Sequence, residues 1–325
     1  MVFGASVTIE DALGASVEIK LPIQKIIPMN SDSLEVLRIL KAENRVVGVY
    51  SGITRERSFW GNLAEKPKVG RWNELNLEAI ADLGPDLVIT YGYNTDPFIE
   101  KKLKAFGIQL LYLDFYKIDT LEREVMVLGK LLGQESEAAR FCDWDRRNID
   151  MIRGIIDQTA KRPKVYIENY TGYQTVSTGT GGNEMCMLAG GKNIAAGLSI
   201  PYPRVTPEWV VSENPEVIIK MAASDGYALK DATTFNRLRD AIMKRPGWRH
   251  ITAVASGNVH VIDGAISAGP RAIIGIAYMA RWLHPKLFQN IDPKAMHKEY
   301  LNMFQGMTYQ GKFVSDDLDL KETVK

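Results

Sequence analysis

The residues of this chain best suited to chemistry are aromatic, and they stand in telling places. Tyr50 closes the apolar run RVVGVY, Tyr91 and Tyr93 follow the run ending at Thr90, and Tyr170 and Tyr173 follow the run ending at Glu168. Trp72 comes directly after Arg71, and Tyr202 stands two positions before Arg204. Flat ring faces with a few cations among them suit a large, flat or anionic organic ligand. If the apolar runs are parallel strands, these tyrosines lie just beyond carboxyl ends, where such sheets bind their ligands. Arg271, in AGPRAIIG, is a further source of positive charge.

Other chemistry fails on spacing. The Gly-rich segment STGTGGNEMCMLAGG would need glycine at 184 for a dinucleotide fingerprint, and that position is Glu184. A phosphate loop ending at Gly191-Lys192 would need glycine at 186 and a hydroxyl at 193, where Cys186 and Asn193 stand. The segment reads as a turn feeding a helix. His250, His260, His284 and His297 match no metal-ligand spacing and read as surface or helix-end residues. Cys142 and Cys186 read as two buried thiols. No G-x-S-x-G nucleophile motif occurs, and no pair of carboxylates is singled out by spacing. No catalytic group and no protein-bound metal or cofactor is therefore expected. Forty basic residues against 39 acidic ones leave +1, which argues against a general nucleic-acid-binding surface.

The elements that must hold the aromatic residues follow from patterning. The start reads as a hairpin, VTIED-ALG-ASVEI, and Lys25–Pro28 and Arg45–Tyr50 as short buried strands, with a helix capped by Ser31 between them. Asn76 caps the next helix, Gly84 ends it, and a strand follows over Asp86–Thr90. A helix through Phe98–Phe106 and a strand over Gln109–Asp114 continue the alternation, which implies a parallel sheet flanked by helices. After Arg162-Pro163 the alternation restarts, with strands at Lys164–Glu168, from Thr175, and at Val259–Asp263. Helices are expected through Phe235–Met243, Ile273–Leu283 and Asp292–Phe304, and the polar end SDDLDLKETVK is expected to fray.

Between the two series, Gln134–Gln158 has no proline and one glycine, giving a helix of about 37 Å. Its apolar residues cover about half the circumference, a breadth that suits a helix lying against two bodies. Asp145 and Asn148 lie inside that arc and need partners if buried. The expected organisation is an amino-terminal α/β lobe over 1–133, a connecting helix over 134–161 and a carboxy-terminal α/β lobe over 162–325.

One stretch occurs twice. WNELNLEAIADLGPDLVI, residues 72–89, is echoed 130 positions later by YPRVTPEWVVSENPEVII, residues 202–219. Trp72 meets Tyr202, Glu78 meets Glu208, Pro85 meets Pro215, and Asp86 meets Glu216. Both read as an aromatic loop, a capped helix, a Pro-marked turn and a buried strand, which suggests two similar lobes with a cleft. Glu78 and Glu208 sit in the first turns of their helices, where the dipole alone would favour a carboxylate. They also form a symmetric pair of charges available to a two-fold partner.

The order of NRVVGV, KVGRWNELNLEAIADLGPDLVI, GTGGNEMCMLAGGKNIAA, RPGW, GNVHVID and AGPRAIIGIA resembles, over essentially the whole chain, the substrate-binding proteins of ABC importers for iron–siderophores, haem and vitamin B12. The resemblance implies two Rossmann-like lobes joined by one long helix (class III). It implies a cleft lined by Tyr50, Trp72, Tyr91, Tyr93, Tyr170 and Tyr202, with Arg71, Arg204 and Arg271 supplying charge. In the vitamin B12-binding member a second-lobe tryptophan falls on Tyr202, and a disulfide cysteine falls on Ala189, so that bond is absent here. Its two docking glutamates fall on Glu78 and Glu208, which implies a carboxylate from each lobe meeting arginines of a dimeric permease with its ATPase. The long helix would limit closure to small lobe movements.

The expected function is capture of a metal chelate outside the cytoplasm by a monomeric binding protein. A ferric siderophore comes first as cargo; a corrinoid, haem or an oxyanion such as molybdate are the alternatives. The rival class is a metallocluster enzyme of nitrogenase-like two-lobed form, which would need cleft cysteines. No apolar run is long enough to span a membrane, and the start lacks a signal-peptide pattern. The chain is thus expected to be cytosolic or, as the resemblance favours, a mature form, meeting the membrane only through the permease or a lipid anchor.

Overall fold

The repeated stretch folds the same way twice. In the computed structural model, which describes residues 5–315, a helix over Leu77–Leu83 has Asn76 as its cap, with the amide of Ala79 donating to the side chain. Its counterpart over Pro207–Glu213 has Thr206 as its cap, with the amide of Trp209 donating to the hydroxyl. Gly84 ends the first helix at φ 54°, ψ 57°, and Asn214 ends the second at φ 47°, ψ 66°. Both occupy the left-handed region, which glycine enters freely and asparagine better than most residues. Ile80 and Val210, at matching positions, are fully buried in their respective cores.

Each helix feeds a parallel strand, and each strand is pinned at its start by the acid of the repeat. In the amino-terminal part β1 (Ser6–Glu10) and β2 (Ser16–Lys20) form an antiparallel hairpin. There follow β3 (Ile26–Pro28), the short antiparallel pair β4 (Gly70–Arg71) and β5 (Glu74–Leu75), β6 (Leu87–Thr90) and β7 (Gln109–Tyr112). Strands β3, β6 and β7 make a parallel sheet in that order, with Ile26 opposite Leu87 and Leu87 opposite Gln109. The Asp86 amide donates to the Lys25 carbonyl at 2.8 Å, and its carboxylate accepts from the amides of Gln24 and Lys25 at 2.7 and 2.8 Å. In the carboxy-terminal part β8 (Lys164–Glu168), β9 (Lys192–Asn193), β10 (Val217–Ala222) and β11 (Val259–Asp263) form a parallel sheet in the order β11-β10-β8-β9. There the Glu216 amide donates to the Lys164 carbonyl at 2.8 Å and its carboxylate accepts from the Lys164 amide at 3.0 Å.

The chain divides into two compact units. The first runs through Arg146 with Met303–Gly306 added, and the second comprises Arg147–Asn302 and the chain from Met307 onward. The division falls inside a continuous helix, Glu135–Ile156. Phe141, Cys142, Trp144, Ile152 and Ile156 on that helix are buried, and so are Asp145 and Asn148. Burial, with the nearby Glu122 charge adding, pushes the Asp145 carboxyl up to about 7. Burial likewise raises both free thiols, Cys142 and Cys186, to about 12, a range in which neither is a nucleophile at neutral pH.

Several local expectations give way to tertiary packing. Arg45–Tyr50 is not a strand: Val46 bridges Ile26 on one side and Val49 bridges Lys68 on the other, so the segment changes partner before a ladder can form. Thr175 only bridges back to Glu168, the end of its own neighbouring strand. Asn30, not Ser31, caps the Ser31–Ile39 helix, because its extended backbone lets Oδ1 accept from the Ser33 amide at 2.8 Å. A helix over Leu121–Leu132, absent from the sequence reading, carries Leu121, Val125, Leu128 and Leu132 on its buried side. His260, His284 and His297 are buried rather than at the surface: His260 stacks on Trp282 and His284 ends the Ala272–Leu283 helix. The last helix turns over Pro293–Tyr300 and widens into a π-turn over Leu301–Gln305. Met1–Gly4 and the polar end from Asp316 lie outside the described residues.

Candidate functional site

In the first unit the aromatic residues beyond the strands form one cluster. Tyr91 leaves β6, Tyr93 follows it around a turn, and Tyr116 comes after β7. Tyr91 and Tyr93 stack at 5.0 Å with 16° between their planes. Tyr116 meets both edge-on, at 5.5 and 6.0 Å, and Trp72 meets both edge-on, at 6.4 and 5.9 Å. Offset and edge-to-face pairs of this kind each contribute about 0.5–1.5 kcal/mol beyond the area they bury.

Trp72 is held at the tip of the β4–β5 turn, where the Asn94 side chain donates to its carbonyl at 2.9 Å. That turn requires Gly70: its φ is 102°, and a Cβ there would stand 2.3 Å from the Glu74 carbonyl oxygen. The cluster has two layers. Trp72 and Tyr93 are 40% and 59% exposed, whereas Tyr91 lies beneath them and donates its hydroxyl to Asp32 Oδ2 at 2.7 Å. Burial first, then the Asp32 charge and hydrogen bond, hold the Tyr91 phenol well above its ordinary value. Beside the cluster a cavity of about 190 Å³ is lined by Tyr50, Arg55, Glu56, Arg71 and Trp72, among others. Tyr50 is half-buried and folds over Gly52, where a Cβ would come within 2.7 Å of its ring.

In the second unit a buried charge network carries the corresponding loop. Glu168 ends β8, and its two oxygens accept from Arg245 Nη1 and Nη2 at 2.7 and 2.9 Å. Lys220, its neighbour across the sheet on β10, places Nζ 3.3 Å away. The same ammonium donates to the carbonyls of Asn169 and Tyr170, tying down the chain as it leaves the strand. The Tyr173 amide donates to Glu168 at 3.0 Å, and Arg245 lies over the rings of Tyr173 and Trp248 at 4.4 and 4.6 Å. Burial alone would raise the Glu168 carboxyl; Arg245, the Tyr173 amide and Lys220 together hold it below the usual range.

Tyr170, 47% exposed, rests on Gly264 at the end of β11, where a Cβ would stand 2.7 Å from its hydroxyl. The segment with Tyr202 and Arg204 runs alongside this loop: the amides of Thr175 and Val205 donate to the carbonyls of Pro203 and Tyr173, and Arg204 donates to the Gly172 carbonyl at 3.3 Å. Tyr202 is 49% exposed, and burial followed by the Glu184 charge raises its phenol. Arg271 is placed differently: it is 4% exposed and donates to the hydroxyl of Tyr227 at 3.3 Å. Glu78 and Glu208 are both exposed in the first turns of the repeated helices.

The structure thus brings Trp72, Tyr91 and Tyr93 into contact in one unit, with Tyr50 and Arg71 lining the adjoining cavity. It sets Tyr170, Tyr202 and Arg204 on adjoining loops of the other. Asp32, Arg55, Tyr116 and the Glu168–Arg245–Lys220 network are additional members. Tyr116 could have been found by the rule that found Tyr91, an aromatic residue just beyond a strand. Arg245 gives no local signal, being 77 positions from its partner.

The profile of the family described as periplasmic binding protein matches residues 26–265. This chain belongs to that family. It is similar to the ABC transporter substrate-binding lipoprotein YvrC of Bacillus subtilis, 28% identical over 292 residues, which cover 87% of each chain. A cobalamin-binding protein of Halobacterium salinarum is 25% identical over 286 residues, 86% of this chain and 74% of that one. Among solved structures, the TroA-like periplasmic binding protein FepB of Veillonella parvula superposes with a TM-score of 0.80 at 20% identity, covering 95% of this chain and 99% of that one. The fold is α/β with parallel sheets, that of the class III periplasmic binding proteins. By family the chain is a periplasmic binding protein, and its relatives are substrate-binding transporter components, not enzymes, which sets aside the metallocluster alternative. Among the described residues no helix is long and apolar enough to cross a membrane.

Proposed function

We propose that this protein binds, outside the cytoplasm, a metal chelate with an anionic organic shell, a ferric siderophore first, and delivers it as a monomer to a dimeric ABC permease and its ATPase. The observation that carries the reading is the four-ring cluster of the first unit beside a cavity lined by Arg55 and Arg71. Ring faces take up an organic periphery, and guanidinium forks pair with catecholate or carboxylate oxygens. Tyr170, Tyr202 and Arg204 supply the same two chemistries from the second unit. Glu78 and Glu208, exposed at matching positions, are the docking carboxylates in this reading. The metal is cargo, carried with its ligands. A corrinoid is the second reading, favoured by the cobalamin-binding protein of Halobacterium salinarum among the relatives.

The test is titration of the purified protein, followed by tryptophan fluorescence, with a ferric catecholate, a ferric hydroxamate, cobalamin, haem and molybdate. The expected result is tight binding of one ferric chelate, weakened at least about tenfold by Trp72→Ala and by Tyr202→Ala, the loss of about one hot-spot contact each. Binding of molybdate alone, or binding indifferent to both substitutions, would overturn the reading. For delivery, Glu78→Ala with Glu208→Ala should abolish uptake in cells while leaving cargo affinity unchanged.

A further inference from the structure

Resting on the reading of the Trp72 cluster as the cargo site, we infer that Asp32 is a positioning residue that fixes Tyr91 as a supporting ring and not as a ligand to the cargo's metal. Asp32 stands in the first turn of the Ser31–Ile39 helix and is almost fully buried. It is separated from Tyr91 by 59 positions, so the 2.7 Å bond between them joins the first helix of the unit to the loop beyond β6.

The consequence for Tyr91 is geometric. Its hydroxyl is taken up by a buried carboxylate, while its ring stacks on Tyr93 and meets the rings of Trp72 and Tyr116 at steep angles. A tyrosine that ligates a ferric ion does so through phenolate oxygen. Here that oxygen is committed as a donor to Asp32, and losing its proton would place two negative charges 2.7 Å apart in a buried setting. What Tyr91 offers the cargo is therefore the placement of the two exposed rings, not an electron pair for the metal.

The experiment compares Asp32→Ala, Asp32→Asn, Tyr91→Phe and the double variant Asp32→Ala/Tyr91→Phe, using whichever ferric chelate or corrinoid binds the native protein. Asp32→Ala and Tyr91→Phe should each weaken binding by about tenfold, in keeping with the loss of one hydrogen bond to a charged group. The double variant should be no weaker than either single one, because both remove the same bond. Asp32→Asn, whose amide oxygen can accept from the same hydroxyl, should recover most of the loss. The visible spectrum of bound ferric chelate should match that of the free chelate, without a tyrosinate-to-iron band.

A new band abolished by Tyr91→Phe would make Tyr91 a metal ligand and overturn the inference. So would additive losses in the double variant, or no recovery in Asp32→Asn when that variant melts like the native protein. If Trp72→Ala leaves every affinity unchanged, it is the site itself that is wrong; if Trp72→Ala abolishes binding and the Asp32 variants do nothing, only the role of Asp32 fails.

Discussion

Arg245→Ala tests how the second unit holds the loop that carries Tyr170 and Tyr173. The substitution removes both donors at 2.7 and 2.9 Å from a carboxylate with no exposed surface. Breaking a buried ion pair by deleting one partner costs about 3–5 kcal/mol, because the other charge is left buried without compensation. Lys220 remains 3.3 Å from Glu168 and the Tyr173 amide still donates, which places the expected loss at the lower end, about 3 kcal/mol. With an unfolding entropy of about 2.1 cal/mol/K per residue, that lowers the melting midpoint of a 325-residue chain by about 4–5 °C. The assay is urea denaturation at several pH values.

The pH dependence follows from the direction of the Glu168 shift. With Arg245 present the folded carboxyl lies below its usual range, so its contribution is full above the unfolded value and is lost as pH falls through the folded one. Without Arg245, burial dominates and the carboxyl rises, so protonation on acidification relieves the variant. The gap between native and variant protein should therefore shrink from pH 7 toward pH 4. A gap under about 1 kcal/mol at pH 7, the size expected of a surface pair, would refute the buried-network argument. A gap that widens on acidification would do the same.

Gly264→Ala should leave stability within about 0.5 kcal/mol, because its Cβ meets only the movable end of Tyr170. It should nevertheless weaken cargo binding several-fold in the fluorescence titration, as Tyr170 is pushed off its seat. His297 Nε2 and the Tyr227 hydroxyl share a hydrogen bond at 2.9 Å, and burial, then the Arg271 charge, lower the His297 pKa to about 3. Its unfolded form takes a proton first, so about 2 kcal/mol of stability should disappear between pH 7 and pH 5, a loss that a His297→Leu variant would not show on chemical denaturation.

What could be read from the sequence was what the chain decides locally. Asn76 and Gly84 act within one helical turn, and each stands where its cap or stop was expected. The buried strands at Lys164 and Val259 came from apolar runs whose position decides burial. Arg45–Tyr50 failed because being a strand depends on a partner, and this segment changes partner after three residues. The site divides along the same line. An aromatic residue just past a strand is visible in the sequence; its depth is not, because Tyr91 is sunk by a carboxylate 59 positions away and Arg271 by its contact with Tyr227. Glu168 and Lys220 are paired by the register of β8 against β10, and Arg245, beyond the end of the Thr233–Met243 helix, joins them only through the folded chain.

The caps at Gly84 and Asn214 show how far two copies of one local unit can differ in residue type and keep one geometry. Their backbone angles differ by less than 10° although the residues differ, and the acids that pin the neighbouring strands have changed length from Asp86 to Glu216 while still accepting from the same kind of amide. What the unit requires at these positions is an angle and an acceptor, and more than one residue type supplies each. Such positions are where a designer could exchange residues between the two copies with least disturbance to either core.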